Sequence, residues 1–261
     1  MKMRDAVAVV TGAASGIGRA LCPLLGREGA RLILIDRDAA GLESLGAELA
    51  REGIAAASAT VDVRERAALR DAIRALAAPW GPVDLLVACA GITGVTLVDD
   101  LAVERIEALA RINFLGLVYA IDAVLPKMVR RRQGQIVGVS SLAGCRGMPF
   151  SAGYSASKAA VSRYLESLRP ALRKRGIAVT TVCPGFVRTP LMENAALKPP
   201  IRMMEPATAA RYVHKAIIGR RRFYCFPWGI GFGVRLLQWL PARLYDWTMS
   251  RAAAKIPDLT Y

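Results

Sequence analysis

Tyr154 and Lys158 stand four residues apart in the run Tyr154-Ser155-Ala156-Ser157-Lys158, at the head of a helical pattern. Residues at i and i+4 share one helix face, so the phenol and the ammonium lie one above the other. A free tyrosine, with a pKa near ~10, is a poor base at neutral pH, but a neighbouring cation stabilises its phenolate and brings proton transfer within reach. Thirteen residues before Tyr154, a β-type run closes on Ser140-Ser141. A serine hydroxyl at a strand end can hydrogen-bond a substrate oxygen and fix its position. Ser141, Tyr154 and Lys158 together are therefore a set for moving a proton on and off an oxygen atom.

A second constellation lies near the N-terminus. The run Thr11-Gly12-Ala13-Ala14-Ser15-Gly16-Ile17-Gly18 follows the first apolar stretch directly and opens a helical pattern at its end. Gly12, Gly16 and Gly18 permit a tight turn and close backbone approach, and the loop that Ser15 and Ile17 complete brings free helix N–H groups to face a pyrophosphate. Asp36, 18 residues after Gly18, ends the second predicted strand. That context makes the loop a specific dinucleotide signal rather than a turn that merely uses glycine. The Asp36 carboxylate can accept hydrogen bonds from the ribose hydroxyls and would repel a 2′-phosphate, which favours NAD. Arg37 beside it can pair with a 2′-phosphate, so NADP stays open.

The elements needed to position these residues can be read along the chain. Ala6–Thr11, Arg31–Ile35, Ile54–Val61, Val83–Ala88, Gln135–Ser140, Ile177–Cys183 and Phe223–Phe226 are predicted strands. Helical patterns over Gly16–Gly29, Asp38–Glu52, Arg64–Ala78, Val103–Arg130, Tyr154–Arg175 and Pro206–Gly219 alternate with them. Such alternation predicts an α/β fold, a doubly wound Rossmann-type parallel sheet of about seven strands in a single domain. Residues 1–219 form the dinucleotide-binding catalytic core, and 220–261 form an aromatic and basic C-terminal segment of the same domain.

With these motifs in place, the sequence resembles the short-chain dehydrogenase/reductase family from Val7 to about Pro190. The resemblance rests on TGAASGIG at 11–18, Asp62-Val63, Asn113, Ser141, YSASK at 154–158, and Pro184-Gly185 followed by Thr189. It implies an NAD(P)-dependent oxidoreductase acting on CH–OH or C=O groups. Tyr154 would be the general acid/base, and Lys158 would lower its pKa and hold the nicotinamide ribose. Ser141 would orient the carbonyl or alcohol, with Asn113 supporting a proton relay through water. Asp62 would bind the adenine amino group, with Val63, Ala90 and Gly91 also along the cofactor, and Pro184, Gly185, Val187 and Thr189 at its nicotinamide end. Where the family has an Asn-Ala-Gly element, this chain has Cys89-Ala90-Gly91, a departure that touches the cofactor floor; Cys89 reads as a small buried hydrophobe.

Five widely spaced cysteines and a single histidine argue against a disulfide framework and a metal site, and fit a reducing compartment. The expected location is cytoplasmic, with peripheral membrane contact open. The 36 Lys+Arg against 21 Asp+Glu leave a formal charge of +15, which attracts polyanions without choosing among them; no nucleic-acid motif accompanies it, and no nucleic-acid partner is expected. Mean hydropathy is +0.31, yet no uncharged apolar stretch reaches the roughly 18 residues that span a bilayer. After Gly219, Arg220-Arg221-Arg222 leads into a segment holding three of the four tryptophans, with two short helices predicted either side of Pro241. This segment can act as a lid, a subunit interface in a homodimer or homotetramer, or a membrane contact. Leu142, Met148, Phe150, Phe186 and Met192 flank the catalytic residues and predict a hydrophobic ketone or secondary alcohol, lipid-like or steroid-like, as substrate. The competing functions are a catalytically silent dinucleotide-binding module and a nucleic-acid-binding protein. Turnover of nicotinamide cofactor separates them from the enzyme.

Overall fold

The computed structural model describes residues 3–189 and 203–253. Among them, β1 (Val7–Thr11), β2 (Arg31–Asp36), β3 (Ala56–Thr60), β4 (Leu85–Ala88), β5 (Gly134–Val139), β6 (Ile177–Pro184) and β7 (Phe223–Phe226) pair in parallel, in the order β3-β2-β1-β4-β5-β6-β7. The expected seven-strand doubly wound sheet is the one observed.

Continuous apolar strands arise because both faces are covered. In β1, Ala8 and Val10 point to one core and Val7 and Val9 to the other; in β2, Leu32 and Leu34 are set against Ile33 and Ile35 in the same way. Leu21 and Leu25 of α1 (Gly16–Arg27), Leu45 and Leu49 of α2 (Ala39–Arg51) and Val213 and Ile217 of α7 (Pro206–Ile218) build the first core. The second holds Leu69 and Ile73 of α3 (Arg66–Ala77), Leu117 and Ile121 of α5 (Gly116–Arg131), and Val161 and Leu165 of α6 (Ala152–Lys174).

From β1 the chain builds outward to β2 and β3, then crosses to β4 on the opposite side. Strand order thus reverses between β1 and β4, which leaves a crevice at their C-terminal ends where ligands bind in open α/β sheets.

Three local differences from the sequence expectations have physical causes. The helical run that begins with α4 (Val103–Leu109) is broken by a π-helical turn, Ala110–Leu115, before α5 continues it. β3 starts at Ala56 rather than Ile54; this alanine-rich edge strand has low β-propensity, and Ile54 packs with the α1 and α2 core instead. Helix α6 begins at Ala152, ahead of Tyr154, so the tyrosine sits inside the first turn.

The stretch Val103–Arg131 is long and apolar enough to cross a membrane by length and composition. It is packed as a core element, with Ile112, Leu117, Ile121 and Val124 buried in the α3 and α6 cluster. Beyond β7, α8 (Trp228–Leu237) and α9 (Ala242–Ala253) lie either side of Pro241, as the sequence predicts.

Candidate active site

A cleft of about 540 Å³ opens at the β1–β4 crevice. Gly12, Ser15, Gly16 and Ile17 line it from the loop after β1, and Asp36, Arg37, Asp62 and Val63 from the ends of β2 and β3. Ala90 and Gly91 follow β4, Pro184 ends β6, and Gly185, Val187 and Thr189 follow it. Gly18 lies behind the loop: a Cβ there would sit 2.1 Å from the Gly12 carbonyl oxygen, so only glycine lets the helix start this close to the turn. Gly12 and Gly16 have φ of +70° and +54°, and a Cβ on Gly16 would meet Thr189 at 2.9 Å. Ser15 precedes α1 without a side-chain capping bond, so its hydroxyl does not occupy the first-turn N–H groups that a phosphate would use.

The acidic end of the cleft is held by the backbone. The Ala14 N–H donates to Asp36 Oδ2 at 3.0 Å and the Asp38 N–H to Oδ1 at 3.1 Å, which fixes the carboxylate. Asp38 caps α2 through the Gly41 N–H at 3.0 Å and brings a second carboxylate to the cleft beside the exposed Arg37. Asp62 accepts from the Arg64 backbone N–H at 2.9 Å and from its guanidinium at 2.8 and 3.0 Å; that pairing holds its carboxyl below the usual range.

At the other end, the C-terminus of β5 and the first turns of α6 bring Ser141, Tyr154 and Lys158 together on the cleft. Ser141 Oγ accepts from the Ala143 N–H at 3.2 Å, opening a 3₁₀ turn over Leu142–Gly144. Burial raises the Tyr154 pKa, and the neighbouring Ser141 side chain opposes that rise without cancelling it. Lys158 Nζ lies 5.9 Å from the centre of the Tyr154 ring and donates to the Val139 carbonyl at 3.0 Å. Burial pushes the lysine down to about 8. Gly91 keeps this corner open, because a Cβ there would come within 3.3 Å of Lys158 Nζ and 2.9 Å of Asn113 Oδ1.

Asn113 lies behind the cleft wall, buried, at the centre of the π-helical turn. Its amide accepts from the Ile92 N–H at 2.8 Å and donates to the Ile92 carbonyl at 3.0 Å and to Ser157 Oγ at 2.9 Å. Ser157 passes a bond of 2.8 Å on to the Tyr154 carbonyl. The asparagine thus joins the segment after β4 to the catalytic helix. On the other flank, the buried Ser140 donates to the Lys158 carbonyl at 2.8 Å and pairs with Ser162 Oγ at 2.8 Å. Thr11 Oγ1 accepts from the Cys89 and Ala90 N–H groups at 3.3 and 3.4 Å and shapes the floor beside the loop.

Asp38, Ser140, Ser157 and Thr11 have positioning roles that the sequence did not announce; those of Ser140, Ser157 and Thr11 depend on partners far along the chain, whereas Asp38 acts through Gly41, three residues on. Ile92, Thr93, Arg105 and Ile112 also line the cleft without having been expected. Of the expected substrate residues, Leu142 and Phe150 are buried, Met148 and Phe186 are partly exposed, and none of the four lines the cleft. Met192 lies outside the described residues. Cys89 does line the cleft; burial pushes its thiol up to about 11, so it stays protonated at neutral pH.

Comparison with known proteins supplies the wider context. A family model described as short chain dehydrogenase matches residues 6–199. An uncharacterized oxidoreductase of Myxococcus xanthus is 39% identical over 245 residues, covering 94% of this chain and 96% of that protein. A short chain dehydrogenase/reductase of Burkholderia phymatum, solved in complex with NAD, superposes with a TM-score of 0.83 at 25% identity, over 90% of this chain and 94% of that one. A variant of actinorhodin polyketide ketoreductase, solved with NADPH, gives 0.79 at 32% identity, over 87% and 97%.

Proposed function

The chain belongs to the short-chain dehydrogenase/reductase family and is an NAD(P)-dependent oxidoreductase; from that premise we propose that it interconverts a hydrophobic ketone and its secondary alcohol, with NAD preferred. The observation that carries this proposal is the meeting of Ser141, Tyr154 and Lys158 on the cleft that begins at the Gly12–Gly18 loop. When bound, the dinucleotide supplies or takes the hydride; the chain's own residues do the rest. Gly12, Ser15, Gly16 and Ile17 would hold the pyrophosphate at the head of α1, and Asp36 the adenosine ribose. Asp62 and Val63 would meet the adenine, and Ala90, Gly91, Pro184, Gly185, Val187 and Thr189 the remaining length of the molecule. Lys158 has two N–H groups beyond the one spent on Val139 and would give them to the nicotinamide ribose.

Ser141 would position the substrate oxygen, and Tyr154 would give it a proton or take one back. With its pKa raised by burial, Tyr154 rests protonated at neutral pH, the form that serves carbonyl reduction. Asn113 and Ser157 hold the tyrosine's turn of helix against the segment after β4.

The preference for NAD is supported by two carboxylates, Asp36 and Asp38, against one exposed guanidinium, Arg37, at the ribose end. The hydrophobic substrate is supported by Ile92 and Ile112 on the cleft wall. The test is a panel of apolar and polar ketones and alcohols, followed by nicotinamide absorbance with NADH, NADPH and their oxidised forms. Turnover restricted to polar substrates, or faster with NADPH, would overturn the finer proposal while leaving the family assignment intact.

A further inference from the structure

Helix α8 is turned inside out for a globular protein. Gly231 packs it onto β7, with a Cβ there coming within 2.7 Å of Cys225, while Trp228, Phe232 and Leu236, at i, i+4 and i+8, are exposed together. The rings of Trp228 and Phe232 stack at 5.8 Å on that outer face. Trp228 is 79% exposed, Trp239 in the turn before α9 is 87% exposed, and Trp247 of α9 is 54% exposed with Arg251 4.2 Å above its ring. Three tryptophans in contact with water within twenty residues need an occupant.

Charge says which one. Residues 228–253, the two helices and the turn between them, contain three arginines and a single acidic residue, Asp246. A symmetric contact with a second copy would set this one-signed surface against itself, an arrangement that repels. An anionic lipid surface meets both properties, since tryptophan settles at the membrane interface and arginine pairs with phosphate headgroups.

Placement then joins the surface to the cleft. Arg146 donates to the Leu237 and Leu240 carbonyls, the latter at 3.0 Å, and lies 4.0 Å above the Tyr245 ring. Gln238 Nε2 donates to the Cys145 carbonyl at 2.6 Å, and the Tyr245 hydroxyl to the Gly147 carbonyl. The two helices are thereby pinned to residues 145–147, within the short link between Ser141 and Tyr154. A further exposed apolar run, Leu97, Val98 and Leu101, borders the same link, where the Thr96 N–H donates to the Phe150 carbonyl at 2.9 Å.

We propose that α8 and α9 dock the enzyme on an anionic lipid surface, with the link between Ser141 and Tyr154 beside the bilayer. The docking stands on the C-terminal surface alone; that the docked enzyme draws an apolar ketone from the bilayer rests on the substrate proposal above.

The test uses the full chain and vesicles of phosphatidylcholine, with or without about one third phosphatidylglycerol. The protein sediments with the anionic vesicles at low salt, its tryptophan emission shifts to the blue, and added salt releases it. Two variants, Trp228→Ser/Trp239→Ser/Trp247→Ser and Arg243→Gln/Arg251→Gln, each lower the partition coefficient at least about tenfold. Both keep the parent's unfolding midpoint, because every substituted side chain is exposed. Parent protein left in the supernatant with anionic vesicles at low salt overturns the proposal, as do variants that bind as well as the parent. A patch that instead joins two copies shows itself if the tryptophan substitutions lower the oligomer mass in light scattering without any vesicle binding to lose. Substrate delivery is read separately, as faster turnover of a membrane-dissolved ketone by parent than by variant, with equal turnover of a water-soluble one.

Discussion

Lys158 should cost the fold stability, and the cost can be worked out. Its side chain is 5% exposed, and burial pushes its pKa from an ordinary 10.5 to about 8. Between those values the unfolded chain binds more protons than the folded one, so stability contributed through this group rises with pH there. The penalty is present in full below about pH 8 and is relieved as the pH climbs toward 10.5. A drop of that size corresponds to about 3 kcal/mol. Lys158→Met keeps the length of the stem and removes the charge, but it also forfeits the bond to the Val139 carbonyl, worth roughly 1 kcal/mol. The variant should therefore be about 2 kcal/mol more stable than the parent at neutral pH and yet catalytically dead. Raising the pH should close the gap and then reverse it slightly, as the parent's amine becomes neutral while the variant still lacks the hydrogen bond. Guanidinium denaturation of the dinucleotide-free proteins, followed by circular dichroism across this range, measures both quantities. A variant less stable than the parent at neutral pH, or a difference that ignores pH, would refute the reasoning.

Two further substitutions probe the cleft. Asp36→Ala removes the carboxylate that repels a 2′-phosphate and leaves Arg37 in place, so the ratio of NADH to NADPH affinity should fall by at least about tenfold in fluorescence titration; an unchanged ratio assigns the preference to other residues. Gly91→Ala inserts a methyl group 2.9 Å from Asn113 Oδ1 and 3.3 Å from Lys158 Nζ, and should lower kcat by about tenfold or more with a small change in unfolding midpoint; parent-like kinetics would show that this corner tolerates crowding.

The parts of the site legible in the sequence were those fixed by local spacing. Tyr154 and Lys158 share a helix face because of the helical repeat, and the Gly12–Gly18 loop joins a strand to a helix because its glycines permit that turn. Alternating apolar runs likewise predicted the seven-strand sheet. What sequence could not place was set by partners far along the chain. The π-helical turn around Asn113 accompanies bonds to Ile92 and Ser157, 21 and 44 residues away. Ser140, adjacent to Ser141, is buried and ties the end of β5 to α6. Leu142 and Phe150 were expected on the substrate wall from proximity to catalytic residues, but proximity along the chain does not set side-chain direction. Phe150 takes a φ of +56° and is buried.

The central claim is that Tyr154 moves the proton on the substrate oxygen, and Tyr154→Phe tests it most directly. The substitution removes one hydroxyl and leaves the ring and the glycine loop in place. Steady-state turnover of the best ketone from the panel should fall by roughly 10²–10⁴, the size of a lost general acid/base. Dinucleotide affinity, titrated on the same preparation, should stay within about threefold of the parent, because the residues proposed for the pyrophosphate and adenosine lie at the ends of β1, β2 and β3 and the head of α1. Turnover within about twofold of the parent would contradict the account and remove Tyr154 from the chemistry.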